Sequence, residues 1–330
     1  MTRTCVIPRV WPCFQGPRRE SFGQKTWLIL DLIRVKDLGD GALILVPSCY
    51  YPHPWGDDTD QSSLDAEWRH EWNTWRIWST TFAYEQIKES HPRIVPYICQ
   101  DPWTSFPILE KPTGGTLAQF LNEHRSKMYM DVPTAACRVL LSFRPLVLQW
   151  SLHLVSALTF VHKHSILYDE INEDFCWLSS SLSLSLAGFM AAEYRSHILG
   201  GAIVYSSGTS ECEFNVRRYT KVPTIQTDIF WWGCIVYELM TGWWPGYGLG
   251  KSYEDVELMI PRREWPYFEA EYLGDIVKKC WERDYTTSKE LMNDVIHFIK
   301  ADGWEIENED EMKGFNACAL FESQSPLSRQ

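Results

Sequence analysis

The chain has no apolar run long enough to cross a bilayer, no closely spaced cysteine pair, no surplus of basic residues and no internal repeat. The apolar run Leu146–Val161 is interrupted by Gln149, Ser151, His153 and Ser156, where a spanning helix needs about 20 predominantly apolar residues. The N-terminus MTRTCVIPRVWPCFQ lacks the apolar segment of a signal peptide. Neither secretion nor a membrane association is therefore expected. The 10 cysteines include no CxxC pair, and several sit inside apolar runs as buried thiols do. That usage points to a reducing, intracellular compartment, cytoplasmic or nuclear. His153, His162 and His164 have no Cys or acidic ligands at zinc-site spacing and read as core or surface imidazoles, so no metal is expected of them. With 31 Lys and Arg against 43 Asp and Glu, the formal charge of −12 opposes attraction to nucleic acid and anionic lipid. Proteins remain the expected partners.

What the chain does have is apolar and aromatic substance, 45% and 14% of its 330 residues, enough for one large domain or two packed lobes. Residues 1–24, rich in Pro and Arg and without a period, read as an irregular lead-in. From Lys25 the runs TWLILDLIRV and GALILVPSCYY flank the turn signal DLGDG and predict two strands, with SFPILEK a later one. Trp68, Trp72, Trp75 and Trp78 recur at helical spacing, predicting a helix from about Leu64 toward Glu89 whose aromatic face packs on the sheet. Beyond TGGTLAQFLNEHR the chain turns helical. Leu146–Val161 carries two apolar stripes and so predicts a helix buried on most sides. TDIFWWGCIVYELMTG predicts a second buried helix, capped by Thr227 or Asp228 and closed by Gly242. The acidic and then polar segment from about residue 301 to 330 reads as a frayed tail.

This order of pieces, with HPRIV at 91–95, GGTL at 114–117, TDIFWWGCIVYELMTGWWP at 227–245 and IVKKCWERDY at 276–285, resembles the eukaryotic protein-kinase superfamily. Within it, the chain is similar to short, divergent kinase-like proteins of fungi. The resemblance covers about residues 27–300. It implies an α+β, bilobal protein-kinase-like fold: a β-rich N-lobe over 25–112, a helical C-lobe over 113–300, and ATP between them.

The resemblance can be followed residue by residue. Kinase chemistry uses a strand Lys on the phosphates, a loop Asp that accepts the substrate proton, and a loop Asn and a DFG Asp that hold magnesium. Laying ALTFVHKHSILYDEI on the family pattern ALxYLHxxGIIHRDI puts Tyr168 at the His, Asp169 at the Arg and Glu170 at the catalytic Asp. Asn172 then falls at the loop Lys and Phe175 at the magnesium-binding Asn. LSLSLAGFM makes Gly188 the DFG Asp and Phe189 its Phe, and the 18 positions from Glu170 to Gly188 match the separation usual in the family. Neither Phe175 nor Gly188 offers an oxygen to a hard cation. A second register makes Asp169 the base and Asp174 a magnesium ligand.

The N-terminal half is equally depleted. No GxGxxG precedes Leu43, Leu45 stands where the phosphate-binding Lys belongs, and the matching helix acid falls near Thr80 or Phe82 with Glu85 out of step. Lys25 or Lys36 would supply the amine if the sheet were unusual. In ILEKPTGG, Glu110 begins the hinge and Pro112 takes the position whose N–H meets adenine, which proline cannot offer. A shift of one residue would restore that donor through Lys111 or Thr113. What the resemblance leaves intact is structural: Tyr168 and Phe189 as packed rings, and Asp228 as the family Asp that ties the large helix to the loop backbone. The implied function is a catalytically inactive pseudokinase acting as a scaffold or allosteric partner, with no cofactor. The alternative is an active, divergent serine/threonine kinase using ATP, Mg and a residual carboxylate such as Glu170 or Asp174.

Overall fold

The structure, a computed structural model, describes residues 26–29, 33–47, 61–130, 139–169, 171–196, 202–205, 224–246 and 262–322, with residues 255, 258 and 259. It is an α+β fold. A five-stranded antiparallel sheet is built from β1 (Thr26–Ile29), β2 (Ile33–Gly39), β3 (Ala42–Pro47), β4 (Tyr97–Gln100) and β5 (Pro107–Glu110) in the order β1-β2-β3-β5-β4. The run TWLILDLIRV is two antiparallel strands rather than one, with Ile29 paired to Ile33. DLGDG is the second reversal. Gly39, Asp40 and Gly41 all have positive φ, 82°, 50° and 75°, and the Asp37 carboxylate accepts the Gly39 N–H at 2.9 Å. Two of these three positions are glycine because left-handed backbone excludes most side chains.

Helix α1 (Gln61–Ile87) packs on this sheet, and its buried apolar residues are Ile77, Ala83, Tyr84 and Ile87 rather than the tryptophans, which are half-buried where described. Trp75 and Trp78 lie against the core, and the Trp78 indole donates to the Thr104 carbonyl at 2.8 Å. The Trp68 side chain lies outside what is described. The helical part comprises α2 (Leu117–Met128), α3 (Arg144–Lys163), α4 (Ile225–Thr241), α5 (Gly274–Glu282) and α6 (Ser288–Ala301). Both predicted buried helices are buried. In α4 every residue from Thr227 to Tyr237 is shielded from solvent, and Gly242 closes the helix at φ 79°. Its cap is not the expected one. Thr224 accepts the Thr227 N–H and Thr227 answers with its hydroxyl, a reciprocal box that leaves the Asp228 carboxylate free to act elsewhere.

The expected tail from residue 301 is corrected as far as Glu322. Residues 302–322 fold back over α3, with β11 (Ile306–Glu307) and β12 (Glu311–Met312) forming a hairpin whose Asp310 is buried. Its acidic composition suggested solvation; the Asp310 charge is instead neutralised by Arg93, and Trp304, Phe315 and Phe321 anchor the rest in the core. No helix among the described residues is long and apolar enough to cross a membrane.

Candidate functional site

The site forms where the loop after α3 meets the sheet part. Strand β6 (Ile166–Leu167) pairs with β9 (Glu193–Ser196), and β9 with β10 (Ala202–Tyr205), fixing the entry to the loop. Asp228, wholly buried in the first turn of α4, then receives the chain. Its Oδ2 accepts the Tyr168 N–H at 2.8 Å and Oδ1 the Asp169 N–H at 2.6 Å. The same Oδ2 lies 2.6 Å from His162 Nε2, and the opposite ring nitrogen lies 2.9 Å from the Ser288 hydroxyl. One carboxylate thus ties together the ends of α3, α4 and α6 and holds Asp169 in a left-handed conformation at φ 69°.

A column of aromatic rings rises from this clamp. The Tyr168 ring meets Phe189 at 5.7 Å between centroids, Phe189 meets Tyr84 of α1 edge-on at 4.9 Å, and Tyr84 stacks on Tyr97 of β4 at 5.2 Å. Tyr168 also donates to the Ala187 carbonyl at 3.0 Å. The expected rings Tyr168 and Phe189 are therefore in contact, and two further rings were not anticipated. Tyr84 follows Thr80 by one helical turn, and that spacing was the available signal. Thr80 Oγ1 accepts the Phe189 N–H at 3.1 Å, where the expectation sought a helix acid. Glu85, the out-of-step acid, accepts a hydrogen bond from the Tyr97 hydroxyl instead.

The residues expected at the chemical positions are arranged for packing. Leu45 is buried on β3 opposite Val35, Lys36 is exposed, and Lys25 lies outside the described residues. Phe175 is buried at the end of a 3-10 turn, Glu173–Phe175, where the Asn172 side chain accepts the Asp174 and Phe175 N–H groups. Asn172 shapes the loop rather than standing in for a cation. Gly188 is buried at φ 75°, and a Cβ there would lie 3.1 Å from the Met190 methyl. A carboxylate at this position would be strained and crowded. Asp174 is half-buried in the capped turn, and its carbonyl accepts the Trp177 indole at 3.1 Å. Glu170 lies outside the described residues.

The hinge segment is similarly occupied. Exposed Glu110 donates its N–H to Pro96 at 2.9 Å, Lys111 donates to Gly41 at 2.7 Å, and Gly114 donates to Leu178 at 2.8 Å. Pro112 has none to give. The suggested rescue through Lys111 is closed, since that N–H is committed and its ammonium pairs with Asp37 at 2.6 Å. Gly114 approaches β7 (Cys176–Leu178) so closely that a Cβ would sit 2.4 Å from the Ser179 carbonyl oxygen. The hinge is thereby laid flat on the strand paired with β8 (Leu184–Leu186).

Two carboxyls missed at first lie beside the loop. Burial, and then the Asp174 charge, push Glu173 up to about 7 against the influence of Arg125, and burial and Glu173 raise Glu238 of α4 well above the usual value. A lone acid in the apolar run VYELM was the signal for Glu238. The three histidines work apart: His153 accepts the Leu184 N–H at 3.2 Å, His162 faces Asp228, and His164 packs edge-on against Phe160. Among the described residues no three His, Cys, Asp or Glu side chains converge as a metal site. At the two positions where the resemblance would put the magnesium ligands stand a buried ring, Phe175, and a left-handed glycine, Gly188, and neither side chain offers an oxygen. The sequence matches no protein-family model and no curated protein.

Proposed function

We propose that the chain is a bilobal protein-kinase-like domain, residues 25–112 and 113–300, whose catalytic loop survives as shape: a pseudokinase that acts on protein partners as a scaffold or allosteric element. The observation that carries this reading is the pairing at one locus. Asp228 draws in the Tyr168 and Asp169 amides at the foot of the ring column, while Phe175 and Gly188 stand where the resemblance requires oxygen ligands. Support also comes from the sheet part with its single long helix, joined to a helical part through residues 110–115. An apolar framework kept together with polar chemistry lost favours binding over phosphotransfer, since a proton acceptor without an oriented phosphate has nothing to activate. The free thiols among the described residues, Cys176, Cys234 and Cys280 buried, Cys318 half-buried and Cys99 exposed, suit the reducing intracellular compartment proposed with it.

An active serine/threonine kinase is the second reading, and Asp174 favours it, as a half-buried carboxylate on a capped turn beside the loop. It would require ATP and Mg as cofactors. The test between the two is the thermal stability of the full chain with Mg-ATP, with ATP alone and with neither.

A further inference from the structure

The fold-back of residues 302–322 has no counterpart in the proposed function. Its hairpin turns through Asn308 and Glu309 at φ 50° and 71°, a left-handed pair that is unfavourable for Glu and persists only when its surroundings determine it. The turn drives Asp310 inward, where its carboxylate takes Arg93 Nε at 3.0 Å, Arg93 Nη2 at 2.9 Å and the Ser156 hydroxyl at 2.6 Å. Gln149 of α3 fastens the hairpin backbone on both sides, donating to the Asp310 carbonyl and accepting the Met312 N–H, each at 2.7 Å. Burial pushes the Asp310 carboxyl up, but Arg93 and Ser156 bring it net below the usual carboxylate range.

Arg93 extends this attachment toward the site. Its guanidinium also meets Glu311 and the Ser183 hydroxyl. Its carbonyl accepts the Leu186 N–H at 2.9 Å, and Val95 returns an N–H to Leu186 O at 2.9 Å. β8 leads directly into Gly188 and Phe189, the middle of the ring column. At its other end the segment is held by Phe321, against Phe120 of α2 at 5.3 Å and Phe143 at 5.1 Å. The segment therefore lies across α3 from the loop joining α1 to β4 as far as α2.

We propose that residues 302–322 are an intramolecular strap, bolted at Arg93–Asp310, which fixes the loop 88–96 and β8 and so sets the aromatic column without any nucleotide. A buried ion pair of this kind adds little net stability against an apolar alternative, yet losing one partner leaves a buried charge unpaired. It is suited to specifying one arrangement.

The test is hydrogen exchange on the full 330-residue chain, comparing wild type with Asp310→Asn and Ser156→Ala. The strap predicts that the amides of Val95, Leu186 and Phe189 exchange about tenfold faster in Asp310→Asn, while those of Ile229–Leu239 in α4 keep their protection. Ser156→Ala, which removes a single hydrogen bond, shows a smaller acceleration at the same three amides and decides the matter if Asp310→Asn does not fold. Acceleration spread equally over α4 and the three amides, or no acceleration at them, overturns the proposal.

Discussion

Asp228 illustrates how one residue can organise a loop. Two backbone donors and an imidazole converge on a carboxylate with no solvent to compensate their loss. Asp228→Asn keeps the size but turns an amide N–H₂ toward one of those donors, so it should destabilise the chain by about 2–4 kcal/mol in urea unfolding. A loss below the error of the measurement would mean that the clamp is incidental. Glu173 makes the opposite case. A carboxyl raised to about 7 is protonated in the fold when the unfolded chain has already ionised, so its contribution is present below the ordinary carboxylate value and lost as pH rises through about 7. Glu173→Gln should therefore be more stable than wild type at pH 8, by on the order of 1 kcal/mol, and indistinguishable from it near pH 4. Equal pH profiles would remove the burial of that charge from the account. Residue identity alone shows that Leu45, Pro112, Phe175 and Gly188 offer no amine, N–H donor or oxygen ligand where the resemblance would look for one. It did not expose Asn172 as a cap or Glu173 and Glu238 as raised carboxyls, because those properties depend on neighbours that only the fold supplies.

Among the elements, the apolar helices were the most legible, since α3 and α4 are encoded by long runs that have no other way to bury themselves. Their ends were less so. Thr224 caps α4 through Thr227 rather than the Glu or Gln usual in such a box, and Asp228 offered a more obvious cap four residues further on. The run TWLILDLIRV hid a hairpin because a single Asp is a weak turn signal between apolar strands. The ring column was half legible: Tyr168 and Phe189 could be read from the loop, but Tyr84 and Tyr97 come from α1 and β4 and join only in three dimensions. Its energetics should follow burial. Tyr84→Leu, which deletes a buried ring stacked on Tyr97 and edge-on to Phe189, should cost about 2–4 kcal/mol. Tyr97→Phe, which removes only a half-buried hydroxyl from Glu85, should cost below about 1 kcal/mol. Urea unfolding of both variants checks this ordering, and its reversal would show that the column is not the support between α1 and the loop.

At the scale of the whole molecule, the α+β character was accessible from the order of apolar runs. The fold-back of the C-terminal segment was not. Asp310 acquires its role from Arg93, a partner 217 residues away, and in isolation its neighbourhood is indistinguishable from a solvated acidic end. The central claim is that this framework has lost nucleotide chemistry: no amine at Leu45, no adenine donor at Pro112, and no oxygen ligand at Phe175 or Gly188. The most direct measurement is the melting temperature of the full chain in millimolar Mg-ATP, ATP without magnesium, and buffer. A ligand specific for the folded state at a hundredfold excess over its Kd contributes about 2.7 kcal/mol, or about 4 °C for a chain of this size. The account predicts no magnesium-dependent shift, whereas a clear rise with Mg-ATP that is absent with ATP alone, and abolished by Asp174→Asn, would contradict it.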